Sequence, residues 1–461
     1  MSKLNSSILN IIAEYPTLPI AVAYSGGLDS QVLLDVVCKL KTEHSFPNTI
    51  YVCHVNHGLS EFAQDWSEFA KSQCQFKKVS FKPLKVTLDK SSKESLEAQA
   101  REARYKAICS ISSAPMLILT GHHKDDQAET FLLALKRGAG VKGLGAMSLI
   151  SSLEQHVLAR PLLSFTRAEL QQYADNYQLR WVEDESNLDT VFDRNFIRQD
   201  IMPRLKERWP GIVDTINRSA EHCQQTQSLL DDMALLDLTQ CENSDGSALL
   251  IPSMLQLSTA RFNNLIRYFL MKHGVQMPST VQLAEVAVQI NAQADKKPQV
   301  KVGDHWLRRF KDQLFLTTAF EDVSEFSVEV QLADLLKQGQ LLSVILPDGL
   351  GEIVASASDE ELLIEKSRIK SVQKVKISTE DKMLLVAFKH ENPFVLPSYR
   401  QHRRPLKKIL QELNMPVWLR KRTPLIYIDG ELAAVVDQFI CQSFLPQEKQ
   451  KAFYIYWLNA D

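Results

Sequence analysis

An apolar run, Ile20-Ala21-Val22-Ala23, leads directly into Tyr24-Ser25-Gly26-Gly27-Leu28-Asp29-Ser30, and Val32, Leu33, Val36 and Val37 follow with helical spacing. This order of buried strand, glycine turn and helix constrains the chain more than any other part of it. Adjacent glycines let backbone N–H groups crowd toward a ligand, the two serines add hydroxyls, and the helix start adds positive potential, so the turn reads as an anion cradle. A tight turn without a ligand is the plain alternative, and the Asp29-Ser30 pair argues against it. No lysine follows the turn, which excludes the G-x-x-x-x-G-K-[ST] loop that handles a transferred γ-phosphate.

The residues after the cradle alternate between apolar runs and helical patterns. Thr49 to Val55 reads as a second strand ending in Asn56-His57-Gly58-Leu59, Lys78 to Phe81 as a short one, and Met116 to Thr120 and Val157 to Leu163 as two more. Arg180-Trp181-Val182 is expected as the last. Helices are expected from Glu94 to Cys109 and from a Thr166-x-x-Glu169 capping box to about Tyr177. Near-continuous apolar strands alternating with helices predict an α/β, doubly wound, mostly parallel sheet with ligands at the carboxyl ends of its strands. His57 falls on that rim, as a turn residue or a ligand contact.

Gly121-His122-His123-Lys124-Asp125-Asp126-Gln127-Ala128-Glu129 follows the strand at Met116. Asp126 and Glu129 have the spacing of a helix cap and its partner, which leaves Asp125 to converge with Asp29 on a Mg²⁺ bridging phosphates. Arg101 and Arg104 share a helix face, either a solvated one or one aimed at a ligand. The basic, glycine-rich stretch from Lys136 and Arg137 to Leu144 is expected to be a mobile loop over the site.

A chain of 461 residues is too long for one core, and length alone suggests about three domains. Residues 1–213 form the expected ligand-binding domain, 214–250 a connector built on one long polar helix, and 251–320 a helical middle domain. Formal net charge is only −2, yet residues 321–365 hold eleven acidic residues against Lys337, and residues 367–425 hold fourteen basic against four acidic ones. Residues 321–366 therefore read as an acidic linker and 367–461 as a small, basic α+β domain of the kind that reads a phosphate backbone; a solvated charged face is the bland alternative. Within it, Gln401 to Leu413 reads as a helix with Pro405 in its first turn, placing Arg403, Arg404, Lys407 and Lys408 at its start. The seven cysteines include no C-x-x-C pair, which argues against structural zinc, iron–sulfur clusters and thiol relays. No apolar run is long enough to span a bilayer and no signal-peptide core is seen, so a cytoplasmic enzyme is expected.

The motifs S-G-G-L-D-S, H-x-x-H-G-L, E-A-Q-A-R-x-A-R-Y, H-x-D-D-Q-A-E-T with L-K-R-G-x-G, and W-x-E-D-x-S-N-x-D-x-x-x-x-R-N-x-I-R stand in order over residues 20–210. Together they resemble the bacterial tRNA(Ile)-lysidine synthetases, a branch of the PP-loop ATP pyrophosphatases with an adenine nucleotide alpha hydrolase-like fold. The R-x-L-K-K-x-x-Q-E and P-x-W-x-R-x-x-x-P-L strings resemble that family's C-terminal domain, although Asp437 stands where it usually has glycine. The resemblance implies ATP contact at Ser25, Gly26, Gly27, Leu28, Asp29, Ser30 and His57. It implies Mg²⁺ and catalytic roles for Asp29 and for Asp125, Asp126 or both, with Arg104, Arg194 and Arg198 as phosphate or transition-state cations. Lys136, Arg137 and the basic residues of the C-terminal domain would contact tRNA. The implied reaction joins free L-lysine to C2 of the wobble cytidine of a tRNA(Ile) with a CAU anticodon, through an adenylated intermediate, releasing AMP and pyrophosphate. No membrane and no stable protein partner are implied. Another PP-loop adenylation, or a non-catalytic ATP-gated tRNA-binding module, are the competing readings.

Overall fold

A computed structural model describes residues 3–58, 60, 62–87, 96–183, 185, 189–244, 246–291, 299–331, 341–356, 366–377, 383–447 and 452–460. Leu59, the expected helix start at Glu94, and Asp184, Ser186, Asn187 and Leu188 of the motif after Trp181 lie outside these residues. The chain divides into two units, Met1–Ala234 and Leu235–Asp461.

The first unit opens with helix α1 (Lys3–Glu14), strand β1 (Ile20–Ala23), α2 (Leu28–His44), β2 (Ile50–Asn56), α3 (Ala63–Phe76), β3 (Ser80–Lys85), α4 (Leu96–Cys109), β4 (Leu117–Thr120) and α5 (Lys124–Lys136). It continues through α6 (Val141–Leu144), β5 (Ile150–Leu153), β6 (His156–Ala159), α7 (Arg167–Asn176), α8 (Asp193–Phe196), a π-helical turn (Ile197–Ile201), α9 (Met202–Arg208) and α10 (Ile212–Cys241). The sheet order is β3-β2-β1-β4-β6-β5. All neighbours are parallel except β5, which runs antiparallel to β6 at the edge.

The apolar runs are near-continuous because both faces of the sheet are covered. On one face Ile20 and Val22 pack with Ile8, Leu33, Leu34, Val37 and Leu170 from the helices. On the other, Ala21 and Ile118 meet Ile108 of α4. Each fully buried leucine or isoleucine contributes about 1.5–3 kcal/mol. Connections leave β1 toward β2 on one side, while β4 lies on the other. The loops after β1 and β4 therefore flank the switch point where ligands of such sheets sit.

Two expectations need correction here. Arg180-Trp181-Val182 joins no sheet; the Val182 N–H instead donates to the Gly26 carbonyl at 3.0 Å. The stretch after Lys136 is not a plain loop, since Val141–Leu144 makes a helical turn. The boundary between the units falls inside α10, at Ala234, within the stretch expected as a connector.

In the second unit, β7 (Ala248–Leu250), α11 (Ile251–Met254), α12 (Thr259–Lys272), α13 (Thr280–Asn291), β8 (Gln299–Val302), β9 (His305–Phe310) and β10 (Gln313–Thr318) follow α10. The helices expected here form, with Ser279 and Gln282 making a reciprocal cap, but they share their core with an antiparallel sheet of order β7-β10-β9-β8.

The described residues of 321–366 form strands where a linker was expected. They supply β11 (Ser327–Gln331), β12 (Leu341–Ile345) and β13 (Glu352–Ser356), followed by β14 (Ile369–Lys376), β15 (Met383–Ala387), β16 (Phe394–Val395), β17 (Arg404–Pro405), α14 (Leu406–Glu412), α15 (Val417–Arg420), β18 (Leu425–Ile428), β19 (Glu431–Val435), β20 (Phe439–Ile440) and β21 (Ala452–Leu458). Sheets of order β11-β15-β18-β19-β20 and β12-β13-β21-β14 share one core, in which Val344, Ile353 and Val375 meet Val386 and Ile426. Among the described acidic residues, Glu325 pairs with Lys389 and Asp348 with Arg422. Composition showed the charge and hid the alternation beneath it.

Asp437 takes φ 66°, the left-handed conformation that glycine usually supplies, so the turn survives the substitution. The expected helix at Gln401 begins five residues later, at Leu406, with Pro405 as its cap residue; Arg404 and Pro405 pair instead with β16.

Candidate active site

The cradle is built by its own side chains. Gly26 adopts φ 91°, a conformation that favours glycine. Ser30 Oγ accepts from the Gly26 N–H at 3.2 Å and donates to the Gly27 carbonyl at 2.9 Å, while Ser25 Oγ accepts from the Gly27 N–H at 3.3 Å. The two hydroxyls lie 3.1 Å apart. Helix α2 opens at Gly27 without a side-chain cap, which leaves first-turn N–H groups for an anion. Gly121, at the end of β4, packs directly on this turn: a Cβ there would lie 3.1 Å from the Ser30 nitrogen.

The cradle forms one wall of a cavity of about 620 Å³ at the carboxyl ends of β1, β2 and β4. Ser25, Asp29, Ser30, Asn56, His57, Arg101, Arg104, His122, Asp126, Arg194 and Arg198 give it polar walls, and Trp66, Tyr105, Ile108 and Phe192 give it apolar ones. Gly26, Gly27 and Leu28 belong to the turn but are not among the residues that line the cavity. Arg104, singled out from sequence, and its neighbour Arg101 both line the cavity.

The aspartate pair is arranged otherwise than the sequence reading has it. Helix α5 starts at Lys124 and its cap is His123, with Asp126 as the reciprocal partner: the His123 N–H donates to Asp126 Oδ2 at 3.0 Å. Successive helical residues point about 100° apart, so only one member of a doublet faces the cavity, and that one is Asp126. Asp125 turns away, accepting from Lys206 Nζ at 2.5 Å and from the Arg167 N–H at 2.9 Å. The Arg167 guanidinium in turn lies 3.4 Å from Asp29 Oδ2. Sequence favoured Asp as the cap because histidine is an uncommon one.

Arg194 and Arg198 are one turn apart and engage Asp126 and Glu129 together. Arg194 reaches Glu129 at 3.0 Å and Asp126 at 3.1 Å; Arg198 reaches them at 2.7 and 2.8 Å. Glu129, only 2% exposed, is the functional candidate that the capping interpretation concealed. Its signal in the sequence is an acidic pair at i, i+3 and a basic pair at i, i+4, each of which shares a helix face.

Burial raises the Asp29 carboxyl above the ordinary carboxylate range, against the opposing charges of His123 and Arg167. Burial acts the same way on Asp126, but His123, Arg194 and Arg198 outweigh it and hold that carboxyl low. At Asp125 burial is likewise overcome, by the Lys206 hydrogen bond and the Arg167 N–H. Burial, with Arg104 and His54 adding to it, pushes the His57 imidazole down to about 4, and both its ring nitrogens are buried without a hydrogen-bond partner. Burial takes His122 down to about 3.

Asp29 and Asp126 carry the oxygens that suit a hard cation. Their carboxylates lie 3.6 and 3.4 Å from one nitrogen of His123, and Asp29 Oδ1 is buried with no hydrogen-bond partner. Both carboxylate oxygens of Asp125 already have partners. Lys136 and Arg137 are exposed at the end of α5 and line no part of the cavity; Lys136 pairs with Asp193. Arg403, Arg404, Lys407 and Lys408 are exposed in the second unit, where Arg404 pairs with Glu412.

Family models match the chain in three places: a PP-loop domain over residues 1–205, a TilS substrate binding domain over residues 249–315, and a TilS substrate C-terminal domain over residues 384–457. The sheet, the glycine–serine cradle at its switch point and the first of these matches define a PP-loop ATP-binding domain. The chain is 38% identical over 427 residues to the tRNA(Ile)-lysidine synthase of Actinobacillus pleuropneumoniae serotype 3 (strain JL03), spanning 90% of this chain and 94% of that one. It is 38% identical over 438 residues to the tRNA(Ile)-lysidine synthase of Serratia proteamaculans (strain 568), with 95% and 94% covered. With that of Vibrio vulnificus (strain CMCP6) it shares 37% over 430 residues, with 93% and 94% covered. The chain belongs to the tRNA(Ile)-lysidine synthase family.

Proposed function

We propose that this chain joins free L-lysine to C2 of the wobble cytidine in tRNA(Ile) with a CAU anticodon, using ATP and releasing AMP and pyrophosphate. The observation that carries the reading is the juxtaposition of an anion cradle with two inward carboxylates and four arginines around one cavity, in a chain of this family. The Ser25–Ser30 turn holds the leaving pyrophosphate by its serine hydroxyls and helix start. The cytidine C2 oxygen attacks the α-phosphorus, and Arg104, Arg194 and Arg198 face the charge that develops on the phosphate oxygens. Asp29 and Asp126 are the residues that would hold Mg²⁺, which when bound neutralises charge on those oxygens. The adenylated base is then open at C2 to the lysine ε-amine, and AMP leaves as that C–N bond forms.

His57 is neutral at physiological pH and offers a ring nitrogen to the nucleotide. An anticodon base is single-stranded and can be extruded into a pocket, and phosphate contacts from the exposed basic residues of the C-terminal domain, Arg403, Arg404, Lys407 and Lys408, hold the rest of the RNA. Lys136 and Arg137, exposed at the end of α5, are proposed to touch tRNA outside the cavity. The test incubates the protein with ATP, labelled lysine and tRNA transcripts. Label should enter RNA bearing the CAU anticodon and not a transcript with another anticodon; absence of label from both, with AMP undetected, overturns the reading.

A further inference from the structure

A second cleft, of about 540 Å³, opens in the C-terminal domain between β16, the Asp429-Gly430 turn of the β18–β19 hairpin, and the chain around Cys441. Phe394 stands at its wall with 67% of its surface exposed. Tyr427, half-buried, lines the interior, and Glu431 and Gln442 supply polar edges. Arg403 is at the cleft as well. Its neighbours Arg400 and Arg404 are both tied to Glu412, whereas Arg403 makes no ion pair among the described residues. Lys407 and Lys408 follow on the exposed side of α14.

We propose that this cleft captures one unpaired RNA nucleotide, its base stacked on Phe394 and its phosphate held by Arg403. An exposed aromatic beside an uncommitted guanidinium is how proteins hold an unstacked base. The volume exceeds that of a base and is too small for a duplex, and the surrounding residues 367–425 are strongly basic. A polar edge of carboxylate and amide gives the base's exocyclic groups partners. The inference deepens the reading of the C-terminal domain as a tRNA reader and rests on it.

The experiment uses the full chain carrying Phe394→Trp, an exposed site that tolerates the change, and follows, without ATP or lysine, the indole fluorescence this variant adds to that of the unsubstituted chain with its six tryptophans. A single-stranded RNA oligonucleotide should quench it saturably, and a blunt RNA duplex of equal length should not. Phe394→Ala should weaken tRNA binding by about 5- to 150-fold while leaving the slope of log K against log salt unchanged. Arg403→Ala should lower that slope by about one. No quench, equal quench by the duplex, or quench by an acidic peptide instead would overturn the proposal. Because the readout needs no chemistry, its failure is separable from failure of the ligation assay.

Discussion

Val182 holds Gly26 in two ways at once: its N–H bonds the Gly26 carbonyl at 3.0 Å, and its Cγ2 lies 2.9 Å from where a Cβ on Gly26 would be. The segment after Trp181 therefore props the cradle from outside the sheet. Gly26→Ala meets both a left-handed φ and this methyl group, and should cost about 1–3 kcal/mol and most of the ATP affinity. Adding Val182→Ala should restore only the steric part; calorimetric ATP titration and thermal melts of the single and double variants check this.

The two aspartates of the doublet should separate cleanly. Asp126→Asn and Asp29→Asn should lower ATP/pyrophosphate exchange by about 100-fold or more while tRNA binding survives. Asp125→Asn should mainly lower the melting temperature, by loosening Lys206 and the start of α7, at a cost of about 1–3 kcal/mol. An exchange rate lost equally in all three variants would contradict this division.

Glu129 and Arg198 form a buried, bidentate contact at 2.7 and 2.8 Å. Glu129→Gln should destabilise the first unit by about 3–5 kcal/mol, because two arginines keep their charge in a site that has lost half of its compensation. A double-mutant cycle with Arg198→Met should show at least about 1 kcal/mol of coupling.

Stability should fall on mild acidification. His122 is held near 3 by burial, against about 6.5 in an unfolded chain. Above pH 6.5 neither state binds the proton and the group contributes nothing. Between pH 6.5 and about 3 the unfolded state binds it and the folded state does not, so stability declines, by about 2 kcal/mol at pH 5. His122→Asn should flatten that part of a melting-temperature profile.

In the C-terminal domain, Lys407→Glu with Lys408→Glu should weaken tRNA binding and reduce the salt slope by about two, whereas Arg404→Ala should do less, since its guanidinium already serves Glu412. ATP affinity should be unchanged in both; filter binding over a salt series decides.

The cradle, the parallel order of the central strands and the hairpin at β18 were legible because each follows from local pattern: continuous apolar runs, adjacent glycines, an Asp-Gly turn. What escaped was decided by partners distant in sequence. Asp125 turns outward because α5 begins three residues earlier than its acidic cap suggests, and Glu129 joins the site only through Arg194 and Arg198, which arrive from a segment distant in sequence. The strands after Glu321 were masked by their charges, whose basic partners Lys389 and Arg422 lie more than sixty residues away. Arg180 to Val182 is apolar enough for a strand, yet the extended segment contacts Gly26 rather than a neighbouring strand.

The doublet on α5 also makes this helix a vernier. Deleting one residue of the helix just after the doublet would turn Asp125 and Asp126 by about 100° relative to the rest of the element, carrying Asp126 out of the cavity wall and setting Asp125 in its place. Such a deletion would exchange the carboxylate that faces the cavity while leaving every side chain of the doublet chemically unchanged.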